Sequence, residues 1–261
     1  MLKRIALSAA LLPLFYVFVM YAPRAWFCVL AAAAAVLCHL EFLSMYGFRS
    51  PLNRVSSLAA AVPSWLIFKY NEIPTIALVL LFTWTLWMRL FSGKGPQSAL
   101  RDVSALWVGL FYTAVLPSYF IKLHAIGPQA VIYLAAVIWG ADALAYFTGK
   151  FMGKRKLSPL TSPNKTVEGA AGAFVGGVIV SILMSYIFAL SLSAGKAAFI
   201  GAALAAVGMV GDLVESMFKR DAGVKDSGAL IPGHGGLLDK LDGMLFSAPV
   251  FYYLLIFINR G

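Results

Sequence analysis

Charged side chains are scarce in this chain of 261 residues: Asp, Glu, Lys and Arg make up 12% of it, about half the share usual in soluble domains. With 61% hydrophobic residues and a mean hydropathy of +0.84, that scarcity excludes a soluble globular fold. Cysteine is nearly missing. The two present, Cys28 and Cys38, fall ten residues apart in one apolar run. That excludes a disulfide framework and a cysteine metal site, and reads as two buried thiols. Acidic residues number 11 against 21 basic ones, and the basic ones sit in short loops beside apolar runs. The net charge of +10 therefore fits anionic lipid headgroups and excludes a nucleic-acid-binding face. The apolar runs also lack period-two alternation, which excludes a barrel.

What remains is an all-α, polytopic integral membrane helical bundle, because backbone groups in lipid must be satisfied within each segment. Stretches near the length needed to cross about 30 Å of hydrocarbon occur at 5–21, 26–46, 54–69, 73–91, 103–121, 128–148, 168–192, 196–218 and 242–259. About nine transmembrane helices are thus predicted, the third being the weakest because it is short and contains Pro63. They form a single membrane domain over 1–261, with scaffold helices in 1–125 and catalytic helices and loops in 126–261. Under nine spans, sixteen of the 21 Lys and Arg residues fall on one side, which the positive-inside rule makes cytoplasmic. Lys3 and Arg4 precede the first apolar run, but no small-x-small cleavage site follows. An uncleaved first helix is expected.

Three constellations can do chemistry. Asp142, Tyr146 and Gly149 share one face of the sixth span, with Lys150 adjacent; a carboxylate at that depth costs about 2.5–3.5 kcal/mol unless paired or hydrated. Ser162-Pro163-Asn164-Lys165-Thr166 leads into Glu168 and Gly169. It reads as an anion-binding helix start, in which free N–H groups and the helix dipole favour phosphate. Last, Ser216 to Asp242 packs four basic residues, four aspartates, His234 and the Gly235-Gly236 pair between two apolar runs. Asp212, Glu215, Ser216 and Lys219 form a polar stripe on the eighth span, and Asp239 and Asp242 share a face of the ninth. Carboxylates meeting from two helices make a hard oxygen site suited to Mg2+ with substrate phosphates. His39 and Glu41 in the second span are two apart and point away from each other, so they read as snorkelling or helix–helix hydrogen bonding.

These residues resemble a known signature. Ser216-x-Phe218-Lys219-Arg220, Lys225-Asp226-x-Gly228 and Pro232-x-His234-Gly235-Gly236-x-x-Asp239-x-x-Asp242 are similar to the pattern of the phosphatidate cytidylyltransferases. The likeness continues upstream through Asp142-x-x-x-Tyr146, Gly149-Lys150 and 162–169, and covers roughly residues 135–245. One position departs: Lys240 stands where the family usually has Arg, which keeps the charge but loses the bidentate fork.

The resemblance implies transfer of CMP from CTP to phosphatidic acid, giving CDP-diacylglycerol and pyrophosphate, with Mg2+ required and a monovalent cation such as K+ assisting. It places the metal on Asp212 and Asp239, with Asp242 close by. Lys165, Lys219, Arg220 and Lys225 are expected on phosphates, with the Gly235 and Gly236 amides as further donors. Ser162, Asn164 or Thr166 is expected on ribose or phosphate, Asp226 and His234 at the substrate, and Asp142 and Glu168 orienting lysines or a second cation. The expected partners are CTP and membrane-borne phosphatidic acid, with no nucleic acid; the sequence allows a homodimer. The expected location is the cell inner (plasma) membrane, with the site facing the cytoplasm. Competing readings are a CTP-dependent transferase acting on another lipid phosphate or a polyprenol, and a lipid-phosphate or ion transporter.

Overall fold

Residues 2–48, 57–93, 95–190, 192–230 and 235–260 are described by the structure, a computed structural model. Helices account for nearly all of it: α1 (Leu2–Tyr21), α2 (Arg24–Met45), α3 (Ala61–Tyr70), α4 (Thr75–Leu90), α5 (Ala99–Leu110), α6 (Tyr119–Ile126), α7 (Pro128–Met152), α8 (Val167–Ile187), α9 (Ala194–Asp221) and α10 (Leu238–Arg260). The all-α membrane architecture follows from the long apolar runs. Among the described residues, six helical stretches are long and apolar enough to span: α2, Ala99–Ile126 (which contains α5 and α6), α7, α8, α9 and Leu238–Ile258 of α10.

Nine spans are thus not confirmed by helix length and hydropathy among the described residues. The third predicted span is a four-residue 3-10 turn at Ser57–Ala60 followed by the ten-residue α3, about 15 Å of helix. The fourth is the 16-residue α4, about 24 Å, which is short of a typical hydrocarbon core.

The chain folds into two units. One takes residues 23–122 and 226–238. In it Ala35, Ala60, Leu81, Leu110 and Ala114 form a buried core. His39 Nδ1 meets Thr113 Oγ1 at 3.0 Å, the helix–helix hydrogen bond expected of it. Arg89 and Asp102, each 7% exposed, form a 2.8 Å ion pair, and Arg89 also donates to Gly95 O.

The other unit takes residues 1–22, 123–225 and 239–261. Its centre is α8, whose small residues let α7 and α9 approach on either side. A methyl group at Gly176 would come within 2.8 Å of Gly140 O on α7, and one at Gly177 within 2.9 Å of the Ala205 side chain on α9. Tyr133 of α7 lies 2.5 Å from Ser181 Oγ on α8, and Ser181 donates in turn to Ala197 O on α9. Buried polar groups thus tie the three helices where their side chains are too small to interlock.

Candidate active site

Three helices of this second unit bring ionisable groups to one end. Because α8 runs away from the β2 segment and α9 returns, the C-terminus of α7, the N-terminus of α8 and the C-terminus of α9 lie together. The first turn of α10 joins them. A methyl group at Gly211 would come within 2.7 Å of Asp242 O, so glycine is what allows α9 and α10 to meet closely at this level.

Between α7 and α8 the chain forms a hairpin that sequence reading did not expect, and it leads directly into the expected helix start at Val167. Strand β1 (Lys156–Ser158) pairs antiparallel with β2 (Ser162–Thr166), Lys156 opposite Thr166 and Ser158 opposite Ser162. Thr166 caps α8, its Oγ1 accepting from Gly169 N at 3.0 Å. Glu168 accepts from the backbone N–H groups of Lys154 and Arg155 at 3.0 and 3.2 Å and from Arg155 Nε at 3.3 Å. Two residues expected at the substrate thus have partners within the hairpin and its helix. Arg220, exposed on α9, donates to Thr161 O at the hairpin turn and to Val224 O.

Held this way, the hairpin directs Lys165 to Asp212, Nζ to Oδ2 2.6 Å. Lys219 Nζ sits between two carboxylates, 2.7 Å from Glu215 Oε2 and 2.7 Å from Asp239 Oδ1. Glu215 is fully buried, and its Oε1 has no hydrogen-bond partner. Ser216 donates to Asp212 Oδ1, and Asp242 Oδ1 accepts from Gly243 N. Asp142 lies in the field of Asp212 and Lys165. Asp242 lies in that of Asp212, Asp142 and Lys219, and Glu215 in that of Asp239 and Asp242. The cluster therefore contains five carboxylates, from α7, α9 and α10, and two lysines.

Beside it opens a cavity of about 490 Å³. Asp142, Lys150, Asn164, Lys165, Thr166 and Asp212 supply its polar rim, while Ile138, Ala145, Ala170, Met209 and the buried Ala141, Ala173 and Ala205 supply apolar wall. Lys150 also stacks its ammonium over Tyr146, 5.7 Å from the ring centre.

The remaining expected residues are more scattered. Ser162 is half-buried on β2, and Lys225 and Asp226 are exposed beyond α9. Gly235 has φ +88°, where a side chain would be strained. Gly236 belongs with Ser227 and Glu41 to the first unit and packs against both, and His234 lies outside the described residues. Sequence reading put Glu215 on the stripe three residues after Asp212 but gave it no role; the structure makes it a member of the cluster. Glu41, read as a snorkelling or hydrogen-bonding residue, stays outside the cluster, and its partners Ser227, Leu237 and Leu238 are almost 200 positions away.

No group of three or more His, Cys, Asp or Glu side chains among the described residues forms a ready metal cage. The donors nonetheless suit a hard cation: all are carboxylate oxygens, they outnumber the lysines, and Glu215 Oε1 is buried without a partner. Mg2+ commonly takes one or two protein carboxylates and completes its shell with phosphate and water.

Fold and site together define a class: a helical membrane protein with a cluster of acidic and basic side chains beside a cavity with apolar walls. The comparisons narrow it. The cytidylyltransferase family model matches residues 2–258, and the chain belongs to that family. The match includes the first 125 residues, beyond the reach of the signature. Proteins named phosphatidate cytidylyltransferase are similar to it in several bacteria. That of Synechocystis is 37% identical over 62% of this chain and 65% of its own length, just under two thirds. That of Bacillus subtilis is 38% identical over 70% and 67%, and that of Staphylococcus saprophyticus 34% identical over 83% and 82%.

Proposed function

We propose that the chain transfers the cytidylyl group of CTP to phosphatidic acid, releasing pyrophosphate and leaving CDP-diacylglycerol in the membrane. The observation that carries this reading is the cluster of Asp142, Lys165, Asp212, Glu215, Lys219, Asp239 and Asp242, of which Asp142, Lys165 and Asp212 line a cavity with apolar walls. Such a site accepts one substrate by its hydrocarbon and both by their phosphates. It is what the reaction named for the relatives requires.

In the reaction a phosphatidate oxygen attacks the α-phosphorus of CTP. A new P–O bond forms as the bond to the α,β-bridging oxygen breaks, and pyrophosphate leaves with the electron pair. The attacking oxygen is already ionised near neutral pH, so the chain's three histidines need not include a strong base. Its task is positioning and neutralising charge. Lys165, carried on the rigid hairpin, and Lys219, set between α9 and α10, bring ammonium groups to the phosphates. Asn164 on the cavity rim is placed to hydrogen-bond ribose or phosphate.

Asp212, Asp239 and Asp242 would hold Mg2+. When bound, it neutralises phosphate charge and stabilises the departing pyrophosphate. K+ is the candidate for a second, weaker cation near Asp142. We place the site on the cytoplasmic face of the inner membrane, where CTP is available and where the basic loops belong.

The test uses purified protein in mixed micelles with phosphatidic acid and CTP labelled at either the α- or the γ-phosphorus. Label from the α position in extracted lipid is expected. Label from the γ position would mean a kinase, turnover only with another lipid phosphate would change the acceptor, and no labelled lipid at all would favour a transporter.

A further inference from the structure

Glu41, on α2, touches neither cavity nor lysine in the account above, yet it is tied to the chain segment that starts α10. Its Oε1 accepts from Leu237 N at 2.9 Å, and its Oε2 accepts from Leu238 N at 2.9 Å and from Ser227 Oγ at 3.2 Å. Two glycines make room for it. A methyl group at Gly228 would come within 2.8 Å of Glu41 Oε1, and one at Gly236 would overlap both the carboxylate and the Ser227 hydroxyl.

Leu238 is the first residue of α10, so its N–H is one of those a helix start leaves without an intrahelical partner. The residues just before it, Gly236 and Leu237, bring no capping side chain. Glu41 does from another helix what a Ser or Asp does locally at an N-cap, and its negative charge sits at the positive end of the helix dipole. The next residue in the chain is Asp239, and one turn on comes Asp242. Were the first turn of α10 to fray, Asp239 would lose its fixed place opposite Lys219.

We infer that Glu41 is a positioning residue for the transfer reaction: a remote N-cap that holds the start of α10, and with it Asp239, in a single geometry. This rests on the function proposed above. It also gives Gly228 and Gly236 of the signature a physical reason, which is clearance for the carboxylate.

The full-length protein is assayed for cytidylyl transfer and for amide hydrogen exchange. Glu41→Gln keeps the size but turns one acceptor into a donor facing an N–H group. It should lower kcat about tenfold, with KM for CTP and for lipid within about twofold, since the residue touches neither. Exchange at 237–239 should rise about tenfold, as expected for loss of a charge-assisted hydrogen bond. Glu41→Asp, which retains both oxygens on a shorter stem, should recover part of kcat. Gly236→Ala attacks the same contact from the other side, so the double variant with Glu41→Gln should be no slower than the worse single variant. Ser227→Ala removes one donor with little change in packing and should give the same pattern at smaller amplitude, which keeps the test open if the other variants fold poorly. Unchanged exchange at 237–239 in Glu41→Gln overturns the clamp, and faster exchange with kcat preserved overturns the positioning role. A wild-type protein that transfers no cytidylyl group overturns the proposed function instead, while its exchange data still decide the clamp.

Discussion

At Lys219 a single ammonium serves two carboxylates in a setting with little water: its side chain is 12% exposed, that of Asp239 10% and that of Glu215 not at all. Removing one member of a buried ion pair typically costs about 3–5 kcal/mol, because the charge left behind has no partner. Lys219→Met should therefore lower the unfolding temperature by several degrees and abolish turnover. Adding Glu215→Gln removes the more deeply buried of the two stranded charges, leaving Asp239. The double variant should regain part of the lost stability and none of the activity, as read by intrinsic fluorescence melting and by labelled-CTP turnover. Failure of the second substitution to restore stability would mean that the Glu215 pair is not where the cost arises. The Arg89–Asp102 pair shows why burial alone does not mark a site. It too is buried, but one guanidinium answers one carboxylate and the backbone carbonyls of Gly95 and Gln97, so no charge is left for a substrate or an ion. Around Lys219 and Lys165 the carboxylates are in excess, and that excess was partly legible in sequence: Asp212, Asp239 and Asp242 stood out within apolar surroundings. Glu41 also stood out in its span, but its partners did not, because they lie far along the chain.

Among the elements, the β1–β2 hairpin is the one that helical pattern reading could not find. Its strands are three and five residues long, too short for alternation to register, and Pro159 and Pro163 argue for a loop. What makes it an element is Glu168, whose carboxylate gathers the backbone N–H groups of Lys154 and Arg155 and so fastens β1 to the start of α8. The accompanying Arg155 contact is peripheral, since that side chain is 78% exposed and exposed pairs contribute little. Glu168→Ala should leave the membrane helices intact while loosening the hairpin that aims Lys165. KM for CTP should rise roughly fivefold to tenfold with a smaller change in kcat, the signature of weakened binding in ground and transition states alike. Trypsin should nick the native protein faster after Lys154, Arg155 and Lys156, all exposed. An unchanged nicking rate would show that the hairpin holds without Glu168. The glycines of α8 were similarly opaque: a run of small residues is simply apolar in sequence, and only their approach to Gly140 and Ala205 gives them meaning.

For the whole molecule, hydropathy located the apolar segments, and six of the nine predicted crossings are matched by helices long and apolar enough to span. The third predicted crossing is matched by a 3-10 turn and the ten-residue α3, because hydropathy does not register where a helix stops. The site does not depend on that count. Between the hairpin and Gly195 lies one spanning helix, α8, and between Gly195 and Lys225 lies another, α9. The hairpin and the end of α9 must then share one side of the membrane, with Gly195 on the other, whatever the earlier helices do. Cysteine labelling can read this directly, because both native thiols are buried, Cys28 at 7% and Cys38 at 1% exposure. Lys156→Cys and Lys225→Cys should react with a membrane-impermeant maleimide only in inverted vesicles. Gly195→Cys, at an open position with nothing near its Cβ, should react only in intact cells or spheroplasts. Reversal of all three would put the cluster outside, away from CTP, and overturn the proposed location. Labelling of Lys156→Cys and Gly195→Cys from the same side would mean that α8 does not cross, and the arrangement that brings Lys165 to Asp212 would lose its basis.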